Sequence, residues 1–347
     1  MEFFGHEQLE QIEVVDSFDG NLVALPLPFP DAVITPGNVH LLQVQTDDGG
    51  IAEGLCVVSA HHIFMLGKKL KDAIFGDVYC GCVVERLDNS HIFKVTSNFV
   101  AVKVILKDRM VALAGRTQED PMNEIAALQF IGSNHPNVMG QICCIEDDAH
   151  FFSIMNFCDG GELYDFVGAN SLTEAQARHI FCQFLDGLAY LQSIGICHRD
   201  ISLENLLLTR DMQCVIIDMG MCLRLPRLPE NDNVLLIPRR NPSGKKNYVA
   251  PEVLADENPI NGLLVDMWAA GVVLFFLLTG VPPVEYASPL DPRFRMIRDG
   301  KLKNLLLQWN VHISEDAMDL LQKMLAVEPS QRLGIDAIRR HPWVAML

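Results

Sequence analysis

Two short stretches of the sequence concentrate side chains that can bind metal ions or position hydroxyl groups. Residues 198–205 read H-R-D-I-S-L-E-N, and residues 218–220 read D-M-G directly after an apolar run at 214–217. Carboxylate and amide oxygens are ligands for Mg²⁺, and a carboxylate within reach of a hydroxyl can orient it for attack. An H-R-D tripeptide alone also arises by chance or as surface charge, so its meaning depends on the rest of the chain.

The spacing H-R-D-x-x-x-x-N followed by D-x-G resembles the eukaryotic protein kinase family, serine/threonine type, from about residue 63 to the C-terminus. The resemblance implies that Asp200 positions the attacking hydroxyl and that Asn205 and Asp218 bind Mg²⁺ beside the γ-phosphate of ATP. Glu252 and Arg332 resemble the buried ion pair of the family's larger lobe. The pattern is closest to the calcium/calmodulin-dependent group, and the loop typical of tyrosine kinases is not present.

A lysine and a glutamate upstream fit the same pattern. Lys103 ends the run V-A-V-K at 100–103, and Glu124 lies in a helix-like segment at 122–131. The resemblance implies that Lys103 holds the α- and β-phosphates and that Glu124 is its ion-pair partner. A lone lysine on a strand is usually solvated, but the order Lys, Glu, H-R-D, D-x-G favours the functional role.

The resemblance also implies a set of residues around the nucleotide. Residues 155–158 look like the gatekeeper and the hinge, where backbone groups would bind the adenine edge. The implied ATP-binding residues are Leu70, Gly76, Val78, Ala101, Lys103, Met155, Phe157, Cys158 and Glu162.

The expected glycine-rich loop is incomplete. Residues 70–79 align with the family's L-G-x-G-x-F-G-x-V, keeping Gly76 but carrying Lys71 and Ala73 in place of the first two glycines. A Cβ atom limits how closely backbone N–H groups approach phosphate. This departure, together with Ser202, motivates an alternative in which the chain is a pseudokinase that binds nucleotide or acts as a scaffold.

Two further departures occupy complementary positions. Ser202 stands where serine/threonine kinases place a lysine that neutralises the γ-phosphate, and Lys245 stands where they place a threonine. We hypothesise an exchange in which the Lys245 ammonium lies beside Asp200 and supplies the missing charge. Lys245 therefore joins Asp200, Lys103 and Glu124 as an expected catalytic residue.

Acidic side chains near the expected site suggest a substrate class. The resemblance implies that Glu162 and Glu204 contact basic side chains of a protein substrate near the target hydroxyl. Ordinary solvated surface acids remain the alternative.

The activation segment, residues 218–252, lacks the family's usual phosphorylation site. It contains one serine, Ser243, and no threonine, and the family's phosphosite position falls on Asn241. We expect activity without phosphorylation there, with Glu230 or Asp232 supplying negative charge to Arg199.

The elements that must position these residues change character along the chain. Short β-branched and aromatic runs at 63–66, 78–84, 99–105, 138–145 and 151–157 predict strands, with one helix at 122–131. Helical patterns follow at 173–193, 316–326 and 335–340. The expected fold is α+β and bilobal, with an antiparallel sheet plus one helix in an N-lobe at 63–155 and a mainly helical C-lobe at 158–347.

The first 62 residues differ in composition from the remainder. They contain ten acidic residues and no Lys or Arg, within a chain of net charge −17. We interpret residues 1–62 as an acidic extension of unknown role, in which any built-in regulator must lie because the chain ends at Leu347, directly after the fold. The acidic charge argues against a nucleic-acid partner.

The compartment follows from what the sequence lacks. The N-terminus has no basic region before an apolar run, so we expect no signal peptide and an intracellular, cytoplasmic protein. Ten scattered cysteines are expected to be buried free thiols. The uncharged stretch 267–284 is expected to be a buried core helix from about residue 266 to 279, too short for membrane insertion, although a membrane-anchored receptor is a third alternative. Nothing in the sequence indicates the oligomeric state.

Overall fold

The computed structural model describes residues 13–18, 21–45, 49–87, 92–226, 235–238, 244–255, 257 and 259–346. These residues form two compact units. The barrel unit comprises Phe29–Gly161 and Leu207–Gly220, and the helical unit comprises the described residues of Met1–Pro28, Glu162–Leu206 and Met221–Leu347.

The secondary structure confirms the expected α+β class, with strands concentrated before residue 162 and helices after it. The strands are β1 (Val14–Phe18), β2 (Asn21–Ala24), β3 (Thr35–Gln45), β4 (Ile51–Ser59), β5 (Ile63–Ala73), β6 (Gly76–Arg86), β7 (Phe93–Leu106), β8 (Gln141–Glu146), β9 (His150–Asn156), β10 (Gly161–Glu162), β11 (Ile196–Cys197), β12 (Leu206–Leu208), β13 (Cys214–Ile216), β14 (Leu223–Arg224) and β15 (Leu235–Leu236). The helices are α1 (Lys107–Leu113), α2 (Pro121–Ile131), α3 (Leu163–Ala169), α4 (Glu174–Ser193), α5 (Pro251–Leu254), α6 (Gly262–Thr279), α7 (Pro292–Arg298), α8 (Leu302–Gln308), α9 (Glu315–Met324), α10 (Ile335–Arg339) and α11 (Pro342–Ala345).

The sheet of the barrel unit closes on itself in the order β3-β4-β5-β6-β7-β9-β8. Strand β3 completes the circle by parallel pairing with β8, where Thr35 lies opposite Ile145, and it also pairs with β7, where Val44 lies opposite Phe93. The expected antiparallel pairing is confirmed along the order β3-β4-β5-β6-β7-β9-β8, and two parallel pairings of β3 close the sheet into a barrel. Where β3 pairs with β8 and with β7, none of these strands presents an unpaired edge to its partner.

Strands β3 and β4 come from the segment interpreted as an acidic extension. The boundary expected near residue 62 lies inside the barrel unit, between β4 and β5. The expected boundary was based on a change in charged residues, which lie mostly at the surface. The barrel unit, however, is defined by strand pairing and by a shared core. Residues 13–28, in contrast, belong to the helical unit.

Two apolar clusters pack against the barrel sheet, on opposite faces of β4 because its side chains alternate. One contains Val57, Phe64, Val102, Phe152 and Ile154, and the other forms around Val44, Cys56 and Val84. Both clusters include side chains of β3 or β4, so burial of apolar surface supports the closure.

Most expected elements lie close to their observed bounds, but β5 ends at Ala73 rather than 66 and β7 begins at Phe93 rather than 99. The strand expected at 138–145 begins only at Gln141, and Val138 instead forms a single parallel bridge with Ile216. The barrel unit has a second helix, α1, directly after β7. Helix α2 begins at Pro121, where Asp120 accepts hydrogen bonds from the backbone N–H groups of Met122 and Asn123.

Helix α6 forms the core of the helical unit. It begins at Gly262, capped by the Asn261 side chain, and is thus four residues longer than expected from 266. It ends at Gly280, whose φ of +76° suits a glycine. Length and composition alone would let α6 cross a membrane, yet 72% of it is buried inside the protein, as in a core helix.

The N-terminal hairpin of the helical unit contacts the activation segment. Strand β2 pairs with β1 and, in parallel, with β15, where Leu235 and Leu236 lie opposite Leu22 and Val23. The Leu27 N–H also donates to the Arg224 carbonyl over 2.7 Å. Part of the segment is therefore held by backbone hydrogen bonds.

Each of the ten cysteines lies within the described residues, and none is in a disulfide bond there. Seven are buried, and Cys80, Cys143 and Cys158 are partly exposed. The partial exposure corrects the expectation of burial at these three positions.

Candidate active site

Hydrogen bonds to helix α6 hold the H-R-D stretch of the helical unit in place. The buried Asp266 carboxylate accepts hydrogen bonds from the backbone N–H groups of His198, over 2.7 Å, and Arg199, over 2.8 Å. The His198 ring is fully buried, and its Nδ1 accepts from the Asp200 N–H. Burial raises the pKa of Asp266, and the two N–H donors partly offset that effect.

The Asp200 carboxylate is held by a neighbouring side-chain amide. The Asn205 side-chain amide donates to the Asp200 backbone carbonyl and to its Oδ2, each over 2.8 Å. The preceding residue, Arg199, has a φ of +67°, a conformation that L-residues adopt only when the surroundings hold them there. Asp200 and Asn205, both predicted site residues, thus lie in direct contact.

Lys245 lies beside the same carboxylate. Its Nζ donates to the Ser202 hydroxyl over 2.7 Å and is 3.9 Å from Asp200 Oδ2. Ser202 is fully buried, so this hydroxyl offers a fixed acceptor. The ammonium group is therefore positioned between the residue that replaces the family's lysine and the expected catalytic carboxylate.

The backbone on both sides of Lys245 explains this placement. Gly244 has a φ of +91°, and a Cβ there would lie 3.2 Å from the Arg199 carbonyl oxygen and 3.4 Å from Asp200 Oδ1. The Tyr248 N–H donates to the Lys245 carbonyl, and the Tyr248 hydroxyl accepts from the Leu203 N–H over 3.3 Å. A tight turn therefore ties residues 245–248 to the H-R-D stretch.

In the barrel unit, Lys103 and Glu124 form a buried ion pair. Lys103 Nζ lies 2.7 Å and 2.6 Å from the two Glu124 carboxylate oxygens, and the side chains are 13% and 7% exposed. Burial alone would lower the pKa of Lys103, but the charges of Glu124 and Asp218 outweigh it and raise that pKa. Lys103 is therefore held as a cation.

Asp218 belongs to the same unit. Its φ is +67°, and its Oδ1 accepts from the Gly220 N–H over 3.2 Å. The Asp120 N–H, at the start of α2, reaches the Gly220 carbonyl. The following Met219 is fully buried. The D-M-G stretch and the helix that carries Glu124 are thus linked by backbone hydrogen bonding.

Four of the predicted ATP-binding residues share one face of the barrel sheet. Val78 lies opposite Lys103, and Ala101 lies opposite Met155, so their side chains point the same way. Val102, between Ala101 and Lys103, points into the barrel core. Helix α2 covers the end of this face around Ile105. The partly exposed Val78, Ala101 and Met155 form an apolar surface next to a fixed cation, which suits a purine with attached phosphates.

The segment expected to be a glycine-rich loop is a β-hairpin. Strands β5 and β6 meet at a two-residue turn, Ile74 and Phe75, and the Phe75 ring is buried against Ile105 and Ile125. At Gly76, a Cβ atom would collide with the Val104 backbone oxygen, so packing alone requires this glycine. Leu70, on β5, is half exposed.

The remaining predicted residues lie at the ends of elements. Phe157 and Cys158 follow β9, and the Phe157 ring packs against Phe99 at a centroid distance of 6.2 Å. Glu162 is the N-cap residue of α3. The Glu204 Oε2 is buried and has no hydrogen-bond partner within the part of the chain that the structure describes.

The expectations about anionic charge in the activation segment fall on Glu230, Asp232, Asn241 and Ser243, which lie outside the described residues. Phosphate-independent activity therefore stays a prediction. Arg199, which was expected to meet that charge, donates from its guanidinium to the Met221 carbonyl over 3.1 Å.

The geometry groups the predicted residues in two sets. Asp200, Asn205 and Lys245 lie together in the helical unit, and Lys103, Glu124 and Asp218 lie together in the barrel unit. Two positioning residues were missed. Gly244 could have been recognised from the sequence, because a glycine directly before a turn is a local pattern. The contact of the Tyr248 hydroxyl with Leu203 joins residues 45 positions apart, so no local sequence pattern predicts it.

Sequence comparison shows which known proteins this chain is similar to. A family model described as a protein kinase domain matches residues 86–344. A probable serine/threonine-protein kinase of Dictyostelium discoideum is 33% identical over 281 residues, covering 81% of this chain and 30% of the relative. CBL-interacting protein kinase 16 of Oryza sativa subsp. japonica is 31% identical, covering 81% of this chain and 56% of the relative. Serine/threonine-protein kinase PLK4 of Drosophila grimshawi is 33% identical, covering 60% and 26%. The chain thus spans little more than half of these relatives at most.

Proposed function

The chain belongs to the protein kinase family, and on that premise we propose that it transfers the γ-phosphate of ATP to serine or threonine hydroxyl groups of protein substrates. The observation that carries the proposal is the Asp200 carboxylate, held by the Asn205 amide and flanked by the Lys245 ammonium. A fixed carboxylate next to fixed positive charge is what phosphoryl transfer requires, because the reaction depends on positioning and on charge stabilisation.

In the helical unit, Asp200 accepts the proton of the substrate hydroxyl and orients the oxygen for attack. Lys245 stabilises the negative charge on the phosphoryl oxygens, in place of the lysine that Ser202 replaces. Ser202 keeps the ammonium in place through the hydrogen bond to its hydroxyl.

In the barrel unit, Lys103 binds the phosphates while Glu124 keeps its ammonium group directed. Val78, Ala101 and Met155 supply the apolar face for adenine, with Leu70, Gly76, Phe157 and Cys158 as further contacts. Glu162, of the helical unit, is proposed as another nucleotide contact. The oxygen-bearing side chains of Asp218, in the barrel unit, and of Asn205, in the helical unit, suit Mg²⁺, which would neutralise phosphate charge when bound.

The first prediction tests the reaction itself. Asp200→Asn removes the proton acceptor but keeps the shape and the contacts of the side chain, so we expect transfer of labelled phosphate from ATP to a serine peptide to fall at least about a hundredfold. The variant should keep the wild-type melting temperature. If wild type and variant are equally inert while Mg-ATP still raises the melting temperature, the chain is a nucleotide-binding scaffold and the proposal fails.

We propose further that substrates carry basic residues near the target hydroxyl. The support is the place of Glu204 in the H-R-D stretch, close in sequence to Asp200, so its negative charge attracts basic side chains of a substrate whose hydroxyl reaches Asp200. Glu162 is proposed as a second acidic contact.

The second prediction tests this preference. With wild-type protein, replacing the arginine residues of the serine peptide by alanine should lower kcat/KM about tenfold or more. In Glu204→Gln, that ratio should shrink, while activity on the peptide without arginine stays unchanged. Equal kcat/KM for both peptides in the wild type contradicts the preference but leaves the kinase proposal intact.

We also propose an intracellular, cytoplasmic location, supported by ten cysteines of which none is in a disulfide bond within the described residues. Fluorescence microscopy of the tagged full chain tests it, and secretion into the medium would contradict it.

A further inference from the structure

Residues 29–34, which we call the strap, run along helix α2 before the chain enters β3. Gln129, on the last turns of α2, makes two hydrogen bonds to the backbone of Val33. Its Nε2 donates to the Val33 carbonyl over 2.8 Å, and its Oε1 accepts from the Val33 N–H over 2.7 Å. A primary amide that pairs with both groups of one residue reproduces the hydrogen bonding of a neighbouring strand.

Apolar contacts hold the strap on either side of this point. The rings of Phe29 and Phe130 meet edge to face with centroids 5.8 Å apart. Ala32 and Ile34 pack against the cluster that contains Ile125. Ile125 follows Glu124 on α2, so the strap packs onto the same helical turn that carries the Lys103 partner.

The strap is also anchored beyond the helix. Thr35, the next residue, lies opposite Ile145 in the β3–β8 pairing that closes the barrel. A displacement of α2 would therefore break the Gln129 hydrogen bonds and the ring contact while the strap stayed with the sheet. Helix α2 is only 11 residues long, so tertiary contacts rather than its own hydrogen bonds must fix its position.

We propose that the strap is a built-in positioning element that keeps helix α2 in the place where Glu124 reaches Lys103, with Gln129, Phe29 and Phe130 as its positioning residues. The inference rests on the proposed function, because it assigns the Lys103–Glu124 pair a role in phosphate transfer. The strap does for α2, from within the chain, what a separate regulatory partner would otherwise have to do.

The test combines two substitutions with a matched control. Gln129→Ala removes both hydrogen bonds but does not lower intrinsic helix propensity, so any loosening of α2 is caused by the lost contact. Phe29→Ala removes the ring contact from the strap itself. The control is Val33→Ser, because the Val33 side chain is 75% exposed and the Gln129 contacts involve only its backbone.

Hydrogen exchange without nucleotide provides the readout that does not depend on activity. In Gln129→Ala and Phe29→Ala, amides of residues 121–131 should exchange at least about fivefold faster, while those of β6 and β7 and the melting temperature change little. The Val33→Ser variant should match the wild type. Unchanged exchange across α2 in both strap variants overturns the proposal, even if the protein proves to be an active kinase.

Kinetics then separate positioning from general stability. Each strap variant should lower kcat/KM for ATP about tenfold in the wild-type background, but should have no further effect in the Glu124→Ala background, where the partner of Lys103 is removed. Equal losses in both backgrounds mean that the strap acts on the fold and not through Glu124, which overturns the proposal. If the wild type shows no phosphotransfer, the proposed function fails separately, and exchange of α2 still decides whether the strap holds the helix.

Discussion

Ser202 and Lys245 have exchanged the residue types that the family shows at their two positions, and their side chains are hydrogen-bonded over 2.7 Å. The exchange moves a positive charge from the H-R-D stretch to the segment before Pro251. The charge remains within 3.9 Å of Asp200 Oδ2 because Gly244 lets the backbone approach and Tyr248 anchors the turn. Positive charge beside Asp200 therefore depends on the ordered conformation of the segment that carries Lys245.

The third prediction concerns that charge. Lys245→Ala should lower kcat by about a hundredfold, the usual cost of removing one donor that stabilises transition-state charge. Calorimetry should show weaker binding of a non-hydrolysable ATP analogue but unchanged binding of ADP, which lacks the γ-phosphate. Lys246→Ala is the matched control, because Lys246 is half exposed and pairs with Glu285 at the surface. Wild-type kcat in Lys245→Ala would refute the role.

The reverse exchange provides a rescue. Ser202→Lys combined with Lys245→Thr returns the charge to the position that the family uses, so the double variant should recover part of the activity that Lys245→Ala loses. Lys245→Thr alone should remain impaired.

At the scale of elements, Arg332 connects three parts of the helical unit. Its guanidinium pairs with both Glu252 carboxylate oxygens, over 2.7 Å and 2.9 Å, and so reaches α5. It also donates to the Leu264 carbonyl of α6 and to the Ala326 carbonyl after α9. The buried ion pair expected from the sequence is confirmed, and the carbonyl contacts use further N–H donors of the same guanidinium.

The fourth prediction follows from this geometry. Arg332→Met leaves the Glu252 carboxylate buried without its partner, so the free energy of unfolding should fall by about 3–5 kcal/mol in urea denaturation. Arg298→Met removes an exposed pair with Asp299 and should change it by no more than about 1 kcal/mol. Similar values for the two variants would show that the buried pair contributes no more than a surface pair.

The strap belongs to the same scale. Its variants Gln129→Ala and Phe29→Ala form the fifth prediction, in which α2 loosens while the barrel strands keep their protection. The strap variants should speed hydrogen exchange in α2 alone. Arg332→Met, in contrast, should lower the stability of the whole helical unit.

At the scale of the whole molecule, the sequence predicted the α+β class and the residues that make the site's closest contacts. Motif spacing identified Asp200, Asn205, Lys103 and Glu124, because each motif combines residue types that chemistry restricts. The exchange of Lys245 was also predicted from the sequence, because Ser202 and Lys245 both differ from the family's residues and the two differences complement each other. The structure places all of these side chains in contact within their own units.

The closure of the barrel was not predictable in this way. Strand β3 pairs with β8 across more than a hundred residues, and pairing over such distances is decided by packing and not by local pattern. The acidic composition of the first 62 residues drew attention to surface charge, while the apolar side chains of β3 and β4 enter the two barrel clusters. The Tyr248 anchor was missed for the same reason.

The rates at which buried cysteines are alkylated can report the unfolding of each unit. Burial raises the pKa of Cys144, in the barrel unit, and of Cys197, in the helical unit, to about 12 in each case. Thiol reagents attack the thiolate, which is scarce at neutral pH for such groups. Alkylation at either sulfur is therefore slow until its surroundings unfold, so the rate at which each label appears measures the opening of each unit separately, with no probe added to the chain.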